Sequence, residues 1–131
     1  MGQNHKKIIA IGGGGFTHRS DEVLDKFVID QCKKKQINFG FLPTASEDNK
    51  DKIKLFYSEL DKYNIQLSHF ELCSSSNGFE EWLMAQDIIY IGGGNTKFMI
   101  KVWEDNNLIK LFKDAYNLSL IHISEPTRRV F

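Results

Sequence analysis

The sequence of 131 residues has little cysteine, no net charge and no long apolar run. Its two cysteines, Cys32 and Cys73, have no histidine or second cysteine at metal-ligand spacing, so we predict reduced thiols that serve as small core hydrophobes. Basic and acidic residues balance at 17 each, which gives no electrostatic reason to expect nucleic acid or an anionic membrane as a partner. No segment could span a bilayer or act as a signal peptide, so we expect a cytoplasmic protein.

Two phosphate-binding fingerprints are also missing, although the chain has two glycine-rich segments. The dinucleotide motif Gly-x-Gly-x-x-Gly fails from Gly12 and from Gly13, because its last position is then Thr17 or His18. The P-loop requires Gly-Lys followed by Ser or Thr, whereas residues 94–97 read GNTK. Glycine-rich turns alone are more often structural than ligand-binding.

What is present is an alternation of strand and helix patterns. Short apolar runs that end in glycine or proline predict strands, and apolar residues at helical spacing predict helices. Strands are predicted over residues 7–11, 38–42, 65–72 and 87–91; helices are predicted over residues 21–35, 49–63 and 79–85 and from near Thr96 and Leu108 onward. This alternation predicts an α/β fold with a doubly wound, mostly parallel sheet and helices on both faces.

The last fourteen residues differ from the rest of the chain. Residues 1–117 contain fourteen lysines and one arginine, whereas residues 118–131 contain two arginines and no lysine. Residues 118–128 read LSLIHISEPTR, which resembles the in-frame translation of an adaptor used in transposase-based sequencing libraries. By apolar pattern alone, residues 118–123 would form a fifth strand. We interpret residues 118–131 as a non-native tail and residues 1–117 as the N-terminal part of one α/β hydrolase domain.

Both glycine-rich segments follow predicted strands, at the edge where open α/β sheets bind ligands. Glycine allows a backbone N–H to approach a ligand closely, and a helix that begins near Thr96 adds positive potential at the same place. Both glycine-rich segments are therefore candidate sites for an anion or a developing oxyanion.

Three segments together resemble the peptidase E family. Residues 9–16 (IAIGGGGF), 41–46 (FLPTAS) and 87–96 (DIIYIGGGNT) are similar to its first, second and fourth strands with their loops, and the resemblance covers residues 6–117. It implies a flavodoxin-like, class I glutamine amidotransferase-like fold. It also implies a serine peptidase that releases N-terminal aspartate from short peptides and needs no metal or organic cofactor.

The same resemblance places the nucleophile outside this chain. The family's serine lies in a Gly-x-Ser-Ala-Gly-type elbow after the next strand, and its histidine follows later. No Gly-x-Ser-x-Gly occurs here, so the catalytic serine and base are expected downstream of a truncation and this chain is expected to be inactive. The resemblance implies that the loop of Gly92, Gly93 and Gly94 contributes to the oxyanion hole, through the N–H groups of Gly93 or Gly94. Asn95 and Thr96 would shape the substrate pocket, with Thr96 also a candidate helix cap. A possible pocket rim consists of Gly13, Gly14, Thr44, Ala45 and Ser46, for which simple loop geometry is the alternative.

Two other functions remain open from the sequence. One is a related hydrolase, such as a cyanophycinase-like enzyme, which the missing elbow would distinguish. The other is a non-enzymatic α/β module that binds a small anion through its glycine loops. His18 is interpreted as a surface residue, and His69 falls in a predicted strand with no evident partner. The oligomeric state is not indicated by the sequence.

Overall fold

The structure is a computed structural model of the chain, and it describes residues 8–12, 22–30, 32, 35–116 and 120–125. The strands are Ile8–Gly12 (β1), Asn38–Leu42 (β2), Gln66–His69 (β3), Ile88–Ile91 (β4) and Leu120–Glu125 (β5). The helices are Glu22–Asp30 (α1), Lys50–Leu60 (α2), Phe79–Met84 (α3), Thr96–Asp105 (α4) and Ile109–Tyr116 (α5).

The five strands form one sheet in the order β1-β5-β4-β2-β3, and every neighbouring pair is parallel. Strand β2 is paired on both sides: Phe41 is in register with His69 of β3 on one side and with Tyr90 of β4 on the other. The predicted doubly wound, parallel α/β fold is therefore confirmed.

Alternate residues of β2 and β4 build a separate core on each face of the sheet. Phe39 and Phe41 point toward α1 and α2, where Phe56 is fully buried and stacks on Phe41 with ring centroids 5.0 Å apart. Leu42 and Ile91 point the other way, toward α3, α4 and α5. Because both faces are covered, these strands read as continuous apolar runs, as buried parallel strands do.

Element boundaries differ from the predictions mainly at the ends. Strand β2 occurs at the predicted residues, ended by Pro43, whereas β3 ends at His69 instead of residue 72. The Phe70 N–H still donates to the Phe41 carbonyl at 3.1 Å, while its ring packs against Phe79, at 5.1 Å, and Trp82, at 5.6 Å. The first helix ends at Asp30, five residues earlier than predicted.

The structure places residues 120–125 as strand β5, between β1 and β4. This agrees with the apolar pattern that predicted a fifth strand from residue 118. The interpretation of residues 118–131 as a non-native tail stays a prediction, since a place in the sheet is independent of the origin of the segment.

Two expectations from composition concern the burial of the cysteines and the possibility of a membrane-spanning segment. Cys32 is half-buried at the edge of a core, but Cys73 is exposed, so the prediction that both cysteines are core hydrophobes was wrong for Cys73. Cys73 lies in the turn after β3 and not in an element that packs on the sheet. None of the described helices is long and apolar enough to cross a membrane.

Candidate functional site

The candidate site lies where the chain direction across the sheet reverses. From β2 the chain continues to β3 on one side, whereas from β4 it continues to β5 on the opposite side. Open α/β sheets form a ligand crevice at such a point, outside the carboxyl ends of the two strands. The loops after β2 and β4 begin at Pro43 and Gly92, and they contain seven of the ten site residues predicted from the sequence; an eighth, Thr96, is the first residue of α4.

The loop after β4 is held tightly against the loop after β2. The Gly92 N–H donates to the Leu42 carbonyl at 3.0 Å, and the Asn95 N–H donates to the Ala45 carbonyl at 2.7 Å. Gly94 has φ 143°, and a Cβ built there would lie 2.5 Å from the Ala45 oxygen. Only glycine fits this close approach without strain, so the third glycine of the loop is required by its contact with Ala45.

Backbone donors of this loop remain available for a ligand. The N–H groups of Gly93 and Gly94 have no acceptor among the residues that the structure describes. They lie next to the N-terminus of α4, whose backbone dipole favours negative charge. Gly92 is buried, while Gly94 and Asn95 are exposed. This arrangement can stabilise an anion or a developing oxyanion.

Asn95, not Thr96, caps helix α4. The Asn95 side-chain oxygen accepts the Phe98 N–H at 3.0 Å, and Thr96 is the first helical residue. The interpretation of Thr96 as the helix cap was therefore wrong by one position. The sequence contained the signal, since asparagine ranks at least as high as threonine at an N-cap.

The loop after β2 is a short 3-10 helix over Thr44–Ser46 whose residues differ in exposure. Thr44 and Ala45 are buried, and Ser46 is half-buried with its hydroxyl donating to the Pro43 carbonyl at 2.9 Å. The buried Thr44 hydroxyl has no hydrogen-bond partner within the described part of the chain. Ala45 thus supports the loop after β4, whereas the predicted ligand contacts of Thr44 and Ser46 stay predictions.

The remaining predicted residues give no further geometry. Gly13, Gly14 and His18 lie outside the described residues. Across the described ranges, no group of three or more His, Cys, Asp or Glu side chains could hold a metal ion.

Sequence reasoning missed a hydrogen-bonded chain at the end of β3. The Tyr57 hydroxyl lies 2.7 Å from His69 Nδ1, and His69 Nε2 lies 3.0 Å from a Glu71 carboxylate oxygen. The hydrogen bond with His69 lowers the pKa of the Glu71 carboxyl, and burial followed by the charge of Glu71 raises the pKa of Tyr57. The sequence showed no evident partner for His69, but packing of α2 on the sheet brings Tyr57 against it. Glu71, two positions along an extended chain and therefore on the same side, was the available signal.

A buried acid next to the loop after β2 was also missed. Asp48 is 8% exposed, and its Oδ2 accepts the Cys73 N–H at 2.8 Å. Burial raises the pKa of the Asp48 carboxyl, while the hydrogen bond from Cys73 opposes this shift. Burial and the adjacent Asp48 raise the pKa of the Cys73 thiol to about 11. Cys73 is therefore a poor nucleophile, since the thiolate is the reactive form.

Comparison with known proteins agrees with this fold. The chain is 35% identical over 118 residues to the uncharacterized peptidase YgaJ of Bacillus subtilis (strain 168), an alignment that covers 88% of this chain and 51% of YgaJ. A crystal structure of a candidate peptidase E protein from Listeria monocytogenes EGD-e has a TM-score of 0.69 at 21% identity, covering 93% of this chain and 59% of that chain. A peptidase structure from an acI-B1 actinobacterium has a TM-score of 0.66 at 15% identity, covering 90% and 52%.

The fold and the loops after β2 and β4 define a doubly wound α/β domain with a candidate ligand site at the carboxyl ends of these two strands. Residues 8–124 match peptidase family S51, and the chain belongs to this family. The resemblance to peptidase E seen in the sequence is thereby confirmed. The chain spans about half the length of YgaJ, the curated relative that it matches.

Proposed function

We propose that the complete protein is a serine peptidase that releases N-terminal aspartate from short peptides, and that this chain supplies its oxyanion-stabilising loop. One observation carries the proposal. Within the described part of the chain, the N–H groups of Gly93 and Gly94 have no acceptor, and they lie at the N-terminus of α4 in a chain that belongs to a peptidase family.

The chemistry would be acyl transfer followed by hydrolysis. A serine hydroxyl attacks the peptide carbonyl, its proton passes to a histidine base, and the carbonyl oxygen becomes an oxyanion. Donors fixed by Asn95 and Ala45 would bind this oxygen without reorganising during the reaction. Removal of one such donor in known serine peptidases lowers kcat by roughly 10²–10³. No metal or organic cofactor is part of the proposal.

The proposed nucleophile would have to lie beside the loop after β4. Strand β5 is parallel to β4, with Ile91 in register with residue 123, so the two strands end at the same edge of the sheet as Gly93. The family resemblance expects the serine directly after such a strand, yet the chain contains no Gly-x-Ser-x-Gly. We infer that the serine and its base belong to sequence that this chain does not contain, in line with a non-native tail at residues 118–131.

The test starts from the source gene. We would read the DNA across the Asn117 codon and expect it to continue into a strand and a Gly-x-Ser-Ala-Gly elbow. The complete protein should then hydrolyse aspartyl dipeptides faster than asparaginyl or glutamyl ones, and a serine-directed sulfonyl fluoride should label it once. The 131-residue chain, as the matched control, should show neither hydrolysis nor labelling.

Two outcomes would contradict this proposal. A gene that encodes residues 118–131 followed by a stop codon would remove the hydrolase nucleophile and favour the small-anion-binding alternative. A complete protein that cleaves dipeptides without regard to the N-terminal residue would retain the peptidase function but overturn the aspartate specificity.

A further inference from the structure

Two consecutive residues of the loop after β2 have an unusual backbone conformation. Glu47 has φ 58° and Asp48 has φ 55°, which is the left-handed region that residues other than glycine seldom adopt. Such conformations persist only where the surrounding contacts hold them, and they cluster at functional sites. The question is which contacts hold this turn and what depends on it.

The Asp48 carboxylate holds the turn by joining two loops. Its Oδ2 accepts the Cys73 N–H at 2.8 Å, from a residue 25 positions later in the chain. The Asp48 N–H donates to the Pro43 carbonyl at 3.0 Å, so the turn also closes on its own beginning. The loop after β2 is therefore attached to the segment after β3 through one buried side chain.

The candidate site depends on the place of this loop. Ala45, three residues before Asp48, accepts the Asn95 N–H at 2.7 Å and lies directly against Gly94. A shift of Ala45 would release Asn95, and with it the loop that presents the N–H groups of Gly93 and Gly94. The contacts form a continuous path from Cys73 through Asp48 and Ala45 to this loop.

The charges around Asp48 come from the segment after β3. Glu71 disfavours the ionised carboxylate, whereas His69 and the hydrogen bonds of Cys73 favour it. The ionised form is the better acceptor for the Cys73 N–H, because hydrogen bonds to a charged acceptor are stronger.

We propose that Asp48 is a positioning residue of the candidate site: its carboxylate fixes the loop after β2 and, through Ala45, the backbone donors after β4. The inference rests on the proposed function for the meaning of the site. Its test uses no substrate, so a failure of the peptidase assay and a failure of this inference are separate results.

Three variants of Asp48 separate the possible contributions. Asp48→Asn keeps an acceptor oxygen and tolerates the left-handed backbone; Asp48→Gly keeps only the backbone freedom; Asp48→Ala keeps neither. The measurement is the hydrogen-exchange rate of the Asn95 amide in the 131-residue chain, followed by ¹H–¹⁵N spectra. The Phe112 amide of α5, which donates to the Leu108 carbonyl at 3.1 Å, is the remote control.

We expect the Asn95 amide to exchange about fivefold faster in Asp48→Gly and Asp48→Ala. A change of this size corresponds to the loss of roughly one hydrogen bond. Asp48→Asn should restore the wild-type rate within about twofold, and the Phe112 amide should change by less than about twofold in all three. A wild-type Asn95 rate in Asp48→Gly would overturn the inference. Equal acceleration at Asn95 and Phe112 would also overturn it, since Asp48 would then act only on global stability. If Asp48→Ala does not fold, the comparison of Asp48→Gly with Asp48→Asn decides.

Discussion

Replacement of Gly94 by alanine tests whether the loop after β4 is held against the loop after β2 as closely as the structure shows. The new Cβ would lie 2.5 Å from the Ala45 oxygen and 2.8 Å from the Ala45 carbonyl carbon. Both are backbone atoms, which cannot rotate away as the end of a side chain can. Either Ala45 or the loop after β4 must therefore move.

The expected cost follows from two separate terms. The backbone conformation at Gly94, with φ 143°, is one that L-residues rarely adopt, and such strain costs about 1–3 kcal/mol. Movement of the Ala45 carbonyl also weakens its 2.7 Å hydrogen bond from the Asn95 N–H, which is worth about 1 kcal/mol. We expect Gly94→Ala to lower the free energy of unfolding by about 2–4 kcal/mol.

Gly78 provides the matched control because it isolates the conformational term. It also has a positive φ, 79°, but a Cβ built there meets nothing within 4 Å. Gly78→Ala should therefore cost about 1–2 kcal/mol. Urea unfolding of both variants, compared at equal m-values, measures the difference. If Gly94→Ala costs no more than Gly78→Ala, the two loops are not in contact, and the basis of the candidate site fails.

Two further predictions concern side-chain contacts around the edge strand β3. Gly40→Ala places a Cβ 2.6 Å from the Trp82 ring, so the ring should move and lose its hydrogen bond to the Ser68 hydroxyl. In a Trp103→Phe background, the fluorescence of Trp82 should then shift to longer wavelength. Unchanged emission would contradict the packing. The hydrogen bond with His69 lowers the pKa of Glu71 below its usual value of 4.5. This pairing therefore stabilises the fold fully above the usual pKa of 4.5, and its contribution disappears as the pH falls through the lowered pKa of Glu71. Glu71→Gln should remove this part of the acid dependence of the free energy of unfolding, measured with urea. The change should be less than about 1 kcal/mol because the pair is partly exposed, and an unchanged acid dependence would refute the prediction.

The sheet and the two site loops were predictable because their signals are local. Strand β2 occurs at the predicted residues, since an apolar run before Pro43 has few other interpretations. The loops that begin at Pro43 and Gly92 meet because parallel strands end at one edge, which the alternation of strands and helices already implies.

The groups that the sequence did not reveal are those whose partners are distant in the chain. Asp48 finds the Cys73 N–H only after β3 has paired with β2, and Tyr57 reaches His69 only after α2 has packed on the sheet. No spacing rule predicts these pairs. The misplaced cap has another cause: Asn95 and Thr96 are both good cap residues, and a one-residue difference in helix start decides between them.

The position of β5 indicates how the proposed oxyanion loop could form independently of the proposed nucleophile. A central strand that pairs with both β1 and β4 completes the sheet, and the register depends on backbone hydrogen bonds that any apolar segment can make. The donors after β4 are fixed by Leu42 and Ala45, and neither contact involves β5. A nucleophile after β5 depends instead on the identity of a few residues in one sharp turn. Under the proposed function, the oxyanion loop would thus depend on the fold alone, whereas catalysis would require the specific sequence that follows the fifth strand.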